Sequence, residues 1–128
     1  MSTSSELSNS GLLFNADVDL AHNAVDILAD RQVSDIVLLD LTELSAFADY
    51  FVIGTVDNIR QARAVIDSIQ KNLQISGSRI RPEGDPESGW VLMDTQEGLI
   101  IHLFSMDARD HYDLENLWGH AKEIVRVQ

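Results

Sequence analysis

Cysteine is absent from the 128 residues, which removes disulfides, thiolate metal ligands and cysteine nucleophiles together and fits a reducing compartment. Positive charge is scarce: 9 Lys and Arg stand against 21 Asp and Glu, a formal net charge of -12 at pH 7. Such a chain repels a bare phosphate backbone, so no primary nucleic-acid contact is expected. A basic partner protein is instead drawn in and oriented by the same charge. Long apolar runs are missing as well. Leu99 to Leu103 is interrupted by His102, and a membrane helix needs roughly 18 apolar residues, so no membrane association is expected. The opening MSTSSELSNSG has no basic region leading into an apolar one, so it does not read as a secretory signal and the protein is expected to be cytoplasmic.

Catalytic signatures are equally sparse. Ser45 and Ser105 sit in no G-x-S-x-G context. His102, His111 and His120 lack metal-helix spacing, and there is no H-E-x-x-H. Acids in Asp17-Val18-Asp19 suit a first helical turn, where the macrodipole explains them without a metal. Gly54-Thr55 between a strand and a helix faintly echoes a phosphate-binding turn, but GxGxxG, Gly-Lys-Ser/Thr and a following D-x-D are all missing. No catalytic residue, metal or cofactor is expected.

What is present is one compact core: 45% hydrophobic content over 128 residues is enough for one domain and too little for two. Ser-rich residues 1–13 read as a disordered tail and residues 14–128 as a single domain. Helical spacing runs from Asp17 to Arg31, with Asn15 or Asp17 as cap. Ile36 to Leu39 and Tyr50 to Ile53 read as neighbouring strands, antiparallel because the link between them is too short for a crossover helix. A second helix is capped by Asp57 or Asn58, carries Ala62, Val65, Ile66, Ile69 and Leu73 on one stripe, and stops at Gly77. Arg79-Ile80-Arg81 reads as a short edge strand, and Pro82 to Gly89 as an irregular exposed loop. A final helix is expected from Asp113 through Leu114, Leu117, Trp118, Ala121 and Val125, after an exposed polar turn holding Arg109 and Tyr112.

Between these lies a hairpin, WVLMDTQEGLIIHLF. A three-residue turn Gln96-Glu97-Gly98, with Gly98 left-handed, pairs Trp90 with Phe104, Leu92 with His102 and Asp94 with Ile100. One face is then uniformly aliphatic (Val91, Met93, Leu99, Ile101, Leu103) and belongs against helices. The other carries Trp90, Leu92, Asp94, Ile100, His102 and Phe104, the mixture found in protein interfaces. Alternatively a helix covers this face and His102 is a hydrogen-bonded core histidine. Spacing alone predicts an α+β domain that works as a binding module.

Asp49 to Thr55, Arg60-Gln61, then Trp90, Asp94, Gly98, His102 and Phe104, and finally Arg109 with YDLENLW over Tyr112 to Trp118 together resemble the Iojap-like ribosomal silencing factors. The resemblance covers roughly Asp17 to Ala121. It implies a mixed sheet with flanking helices, nucleotidyltransferase-like in outline but without that catalytic site. It also implies a non-enzymatic homodimer that binds the large ribosomal subunit through ribosomal protein L-fourteen and sterically blocks the small subunit, repressing translation. Two departures stand out: the family's G-T-S-x-R turn is here Gly54-Thr55-Val56-Asp57-Asn58-Ile59-Arg60, and the hairpin turn is one residue longer than usual. On this reading Trp90 anchors the partner, Leu92 and Phe104 surround it, and Asp94 or Glu97 meets basic side chains. Arg109 and Tyr112 extend the patch, and His102 either bonds across the interface or orients Asp94. The alternatives are a cryptic nucleotidyltransferase-like nucleotide binder, or a small-molecule sensor with a pocket between the hairpin and the second helix.

Overall fold

The computed structural model describes residues 18–73, 75 and 80–128. The expected tail, the cap at Asn15 or Asp17, the stop at Gly77 and Arg79 of the expected edge strand lie outside the described residues.

Helix α1 (Val18–Asp30) buries Leu20, Ala21, Ala24, Val25, Ile27 and Leu28, the stripe its spacing predicts. Strand β1 (Ser34–Asp40) and strand β2 (Tyr50–Thr55) pair antiparallel. Helix α2 (Ile59–Asn72) begins where the Asn58 side chain accepts a hydrogen bond from the Gln61 amide at 2.8 Å, satisfying a donor the helix itself leaves open. Strand β3 (Pro82–Asp85), a 3-10 turn at Pro86–Ser88, and the hairpin strands β4 (Trp90–Asp94) and β5 (Leu99–Phe104) follow. Two short helices, α3 (Met106–Tyr112) and α4 (Leu114–Leu117), lead to strand β6 (Lys122–Val127). The sheet has six strands in the order β3-β4-β5-β2-β1-β6. Among these pairings only β2 with β5 is parallel.

Helices α1 and α2 pack on one face, against Ile36, Leu38, Val52 and the aliphatic hairpin residues Val91, Met93, Leu99, Ile101 and Leu103. On the opposite face Val37, Leu39, Phe51, Ile53 and Phe104 pack with Ala108, Leu114, Trp118 and Ala121 from the segment through α3 and α4. Strands β1 and β2 are therefore sandwiched, which is why their sequences are continuous apolar runs rather than alternating ones.

Two expectations give way. The expected long helix from Asp113 is the single turn α4, which ends where Trp118 leaves helical geometry at φ −104° and ψ 38°, while Asp113, at a left-handed φ of 49°, separates it from α3. Beyond it the apolar residues of KEIVRV form β6 and pair antiparallel with β1. Side-chain spacing there suits a helix, but β-branched Ile124, Val125 and Val127 complete the sheet instead. The expected edge strand is also displaced: Ile80 and Arg81 are outside any strand, and Pro82–Asp85 pairs with β4. Proline is tolerated as the first residue of an edge strand, where its missing N–H leaves no ladder bond unmade.

Candidate functional site

The hairpin register is the expected one, with Trp90 opposite Phe104, Leu92 opposite His102 and Asp94 opposite Ile100. Gly98 takes φ 91°. Gln96 joins it in the left-handed region at φ 60°, and Asp94 Oδ1 accepts from the Gln96 amide at 2.7 Å, so the aspartate steadies its own turn. Glu97 is half-exposed on the same turn.

The mixed face is divided into a covered part and an open part. The α3–α4 segment covers the side over β1 and β2, where Trp118 meets Phe51 edge-on with ring centroids 5.8 Å apart. Phe104 and His102 are buried, 1% and 3% exposed. Toward the β3 edge, Trp90, Leu92, Asp94 and Ile100 stay half-exposed. The Trp90 indole stacks on Phe104 at 5.2 Å and lies 4.5 Å from the exposed ring of Tyr112. The result is an aromatic platform with one open side and acids beside it.

His102 neither reaches solvent nor bonds to Asp94. Its Nδ1 accepts a 3.2 Å hydrogen bond from Trp90 Nε1, and its ring meets Phe51 edge-on at 4.5 Å. Accepting at Nδ1 leaves the proton of the neutral ring on Nε2, which is buried with no hydrogen-bond partner among the described residues. Desolvation by burial lowers the pKa from 6.5 to about 4, so the ring is neutral at pH 7. Its work is to orient the tryptophan.

Arg109 is not in an exposed turn; it is 8% exposed, inside α3. Its Nη1 donates to the Asp35 carbonyl and, at 2.9 Å, to Thr55 Oγ1, while Nε donates to Glu115 Oε1 at 3.0 Å. Arg126, which sequence reasoning left out, pairs with Asp35 at 2.7 Å and with Glu115 and Glu123 at 3.0 Å each. Two arginines and three carboxylates thus tie α3, α4 and β6 to the β1–β2 edge. Buried and spent on these internal partners, Arg109 has little surface with which to extend the platform. Leu117, expected on the apolar stripe of the final helix, is 73% exposed, as is Phe47 at 74%.

The faint phosphate-turn echo has a packing explanation. A Cβ on Gly54 would lie 2.5 Å from Val33 Cγ1 and 3.2 Å from Leu28 Cδ2, so glycine is there to let β2 approach α1 and β1. Thr55 is buried with its hydroxyl accepting from Arg109.

A family model described as ribosomal silencing factor during starvation matches residues 15–128. A Halalkalibacterium halodurans protein named ribosomal silencing factor RsfS is 35% identical, over 84% of this chain and 89% of its own. The Bacillus subtilis protein of the same name is 36% identical, over 72% and 78%. A crystal structure of a Chromobacterium violaceum protein superimposes with a TM-score of 0.73 at 31% identity, covering 83% of this chain and 88% of that one. The chain, with its mixed α+β sheet, belongs to the ribosomal silencing factor family.

Proposed function

We propose that this protein represses translation by binding the large ribosomal subunit through ribosomal protein L-fourteen and excluding the small subunit sterically, without turnover. The observation that carries the reading is the half-open aromatic platform, Trp90 stacked on Phe104 with the tilted ring of Tyr112 beside both, on an acidic domain. A tryptophan with an apolar body and one exposed side is the residue type that dominates interface energetics. A net charge of -12 suits a basic partner and speeds encounter with it. Trp90, Leu92 and Tyr112 make the apolar contact and Asp94 and Glu97 the polar one, while His102, Phe104 and Arg109 hold that surface in place. Cytoplasmic location, a single domain over residues 14–128 and a homodimeric free state complete the proposal.

The test pairs a large-subunit pull-down with a subunit-joining assay. Trp90→Ala keeps the fold and loses binding by about 2 kcal/mol or more, as hot-spot truncations do. Unchanged binding and unchanged inhibition of joining would remove the hairpin face from the proposal.

A further inference from the structure

The open part of the mixed face does not end at the hairpin, because β3 continues the sheet beyond β4. Glu83 on β3 pairs directly with Leu92 on β4, and Gly84 with Val91. Residues directly opposite each other on antiparallel strands carry their side chains to the same face. Glu83 therefore stands with Trp90, Leu92 and Asp94, and not on the face that Val91 and Met93 turn toward the helices. Leu92 then has Trp90 and Asp94 two residues away on either side along its own strand, roughly 7 Å at the rise of a strand. Glu83 lies across from it with Cβ atoms about 5 Å apart, and Asp94 sits on the diagonal from Glu83 at about 7–8 Å.

This patch is open: Trp90, Leu92 and Asp94 are half-exposed and Glu83 is exposed. Among the described residues Glu83 makes no hydrogen bond or ion pair, and no Lys or Arg pairs with Asp94, whose Oδ1 takes the Gln96 amide of its own turn. Among those residues, too, no three acids or histidines gather closely enough to hold a metal ion. A positive group seated between the two carboxylates meets both and removes the repulsion between them. A lysine or arginine brings that charge on an apolar stem, and the surface beneath the stem is Leu92, with the Trp90 indole next along the strand. A phosphate is turned away from the same spot by these acids and by the net charge of -12.

We propose that Glu83 and Asp94 form a clamp for one basic side chain of a partner protein, its aliphatic stem on Leu92 and its charged end between the two carboxylates. The clamp rests on the reading that this face docks on the large subunit, and it adds to that reading a residue outside the hairpin and the chemistry of the side chain received.

The test measures large-subunit binding at low and high salt by the wild type, by Trp90→Ala and by a double variant, Glu83→Gln with Asp94→Asn. Asparagine at 94 keeps an oxygen for the Gln96 amide and Glu83 has no bond to lose, so the double variant is expected to keep its melting temperature. It is expected to bind at least tenfold more weakly at low salt, a deficit that shrinks to threefold or less at about 0.5 M salt as screening removes the charge attraction. Asp26→Asn with Asp30→Asn removes the same charge from exposed positions on α1, across the sheet, and is expected to change binding less than twofold. Wild-type binding by Trp90→Ala would overturn the docking reading and the clamp with it. Loss in Trp90→Ala beside wild-type binding in the double variant would overturn the clamp alone. An equal loss in the α1 variant would do the same, by making the effect one of overall charge. So would stronger binding by the double variant, the sign of a phosphate contact, or a change confined to sedimentation of the free protein, the sign of a second copy on this face.

Discussion

The Trp90 indole N–H donates to His102 Nδ1 at 3.2 Å, a diagonal contact across β4 and β5, since Trp90 itself pairs with Phe104 and His102 with Leu92. This bond exists only while the imidazole is neutral. A protonated ring carries N–H on both nitrogens, and the indole has no lone pair to offer, so protonation sets two donors against each other.

Acid is therefore expected to weaken the fold through this histidine. Burial lowers its pKa from 6.5 to about 4, so the unfolded chain binds the proton more readily than the folded one. The contribution is fully present above about pH 6.5 and is lost as pH falls toward 4. Between pH 7 and 4.5 it amounts to about 2 kcal/mol. His102→Gln cannot titrate there and still offers the indole an acceptor. Urea unfolding of both proteins at several pH values isolates the effect from the carboxylates, and parallel stability curves would contradict it.

Tyr112 and Leu92 separate docking from folding. Tyr112 is exposed, and its ring contacts are with Trp90, Phe104 and His111. Truncation of an exposed ring is expected to change stability by less than about 1 kcal/mol. In the docked complex, Tyr112→Ala and Leu92→Asp should each weaken large-subunit binding at least tenfold, the second by placing a charge in the apolar contact. Wild-type affinity in both would show that the open half of the face is not the contact surface.

Arg109 is expected to behave in the opposite way. Arg109→Leu takes the donor away from the Asp35 carbonyl and the Thr55 hydroxyl and leaves Glu115 to Arg126 alone, and breaking such an assembly costs about 3 kcal/mol. Arg109→Lys should recover little, because one ammonium group cannot reproduce the planar fork that serves Asp35, Thr55 and Glu115 at once. Thermal unfolding measures both. At temperatures where the variants remain folded, their subunit binding should stay within a few-fold of wild type, as befits a strut rather than a contact.

These contrasts follow the division between what local pattern reveals and what long-range packing decides. The hairpin was legible to the residue because Gly98 sets the turn and side-chain alternation then sorts both strands. The antiparallel pairing of β1 and β2 was legible from the short link between them. Strand β6 was not, because the partner that makes KEIVRV a strand is β1, far away in sequence, and its apolar spacing also satisfies a helix. Arg109 was hidden for the same reason: its partners Asp35 and Thr55 lie 74 and 54 residues away. The mixed face divided because coverage by α3 and α4 depends on where the chain crosses the sheet, which alternation along one strand does not record.

Gly54 offers a decision between packing and phosphate chemistry. If glycine is needed for close approach of β2 to its neighbours, the cost of Gly54→Ala falls on stability and depends on Val33, whose Cγ1 would be 2.5 Å from the new methyl. Overpacking of this kind costs about 1–3 kcal/mol. Val33→Ala on its own opens a small cavity and also destabilises. Combined, the two changes remove each other's defect, so the double variant should be more stable than the sum of the single effects by about 1 kcal/mol or more. A turn kept open for a phosphate predicts additive stabilities instead, together with a nucleotide-dependent rise in melting temperature that Gly54→Ala abolishes. Denaturant unfolding of the four proteins, with and without ATP, separates the two accounts.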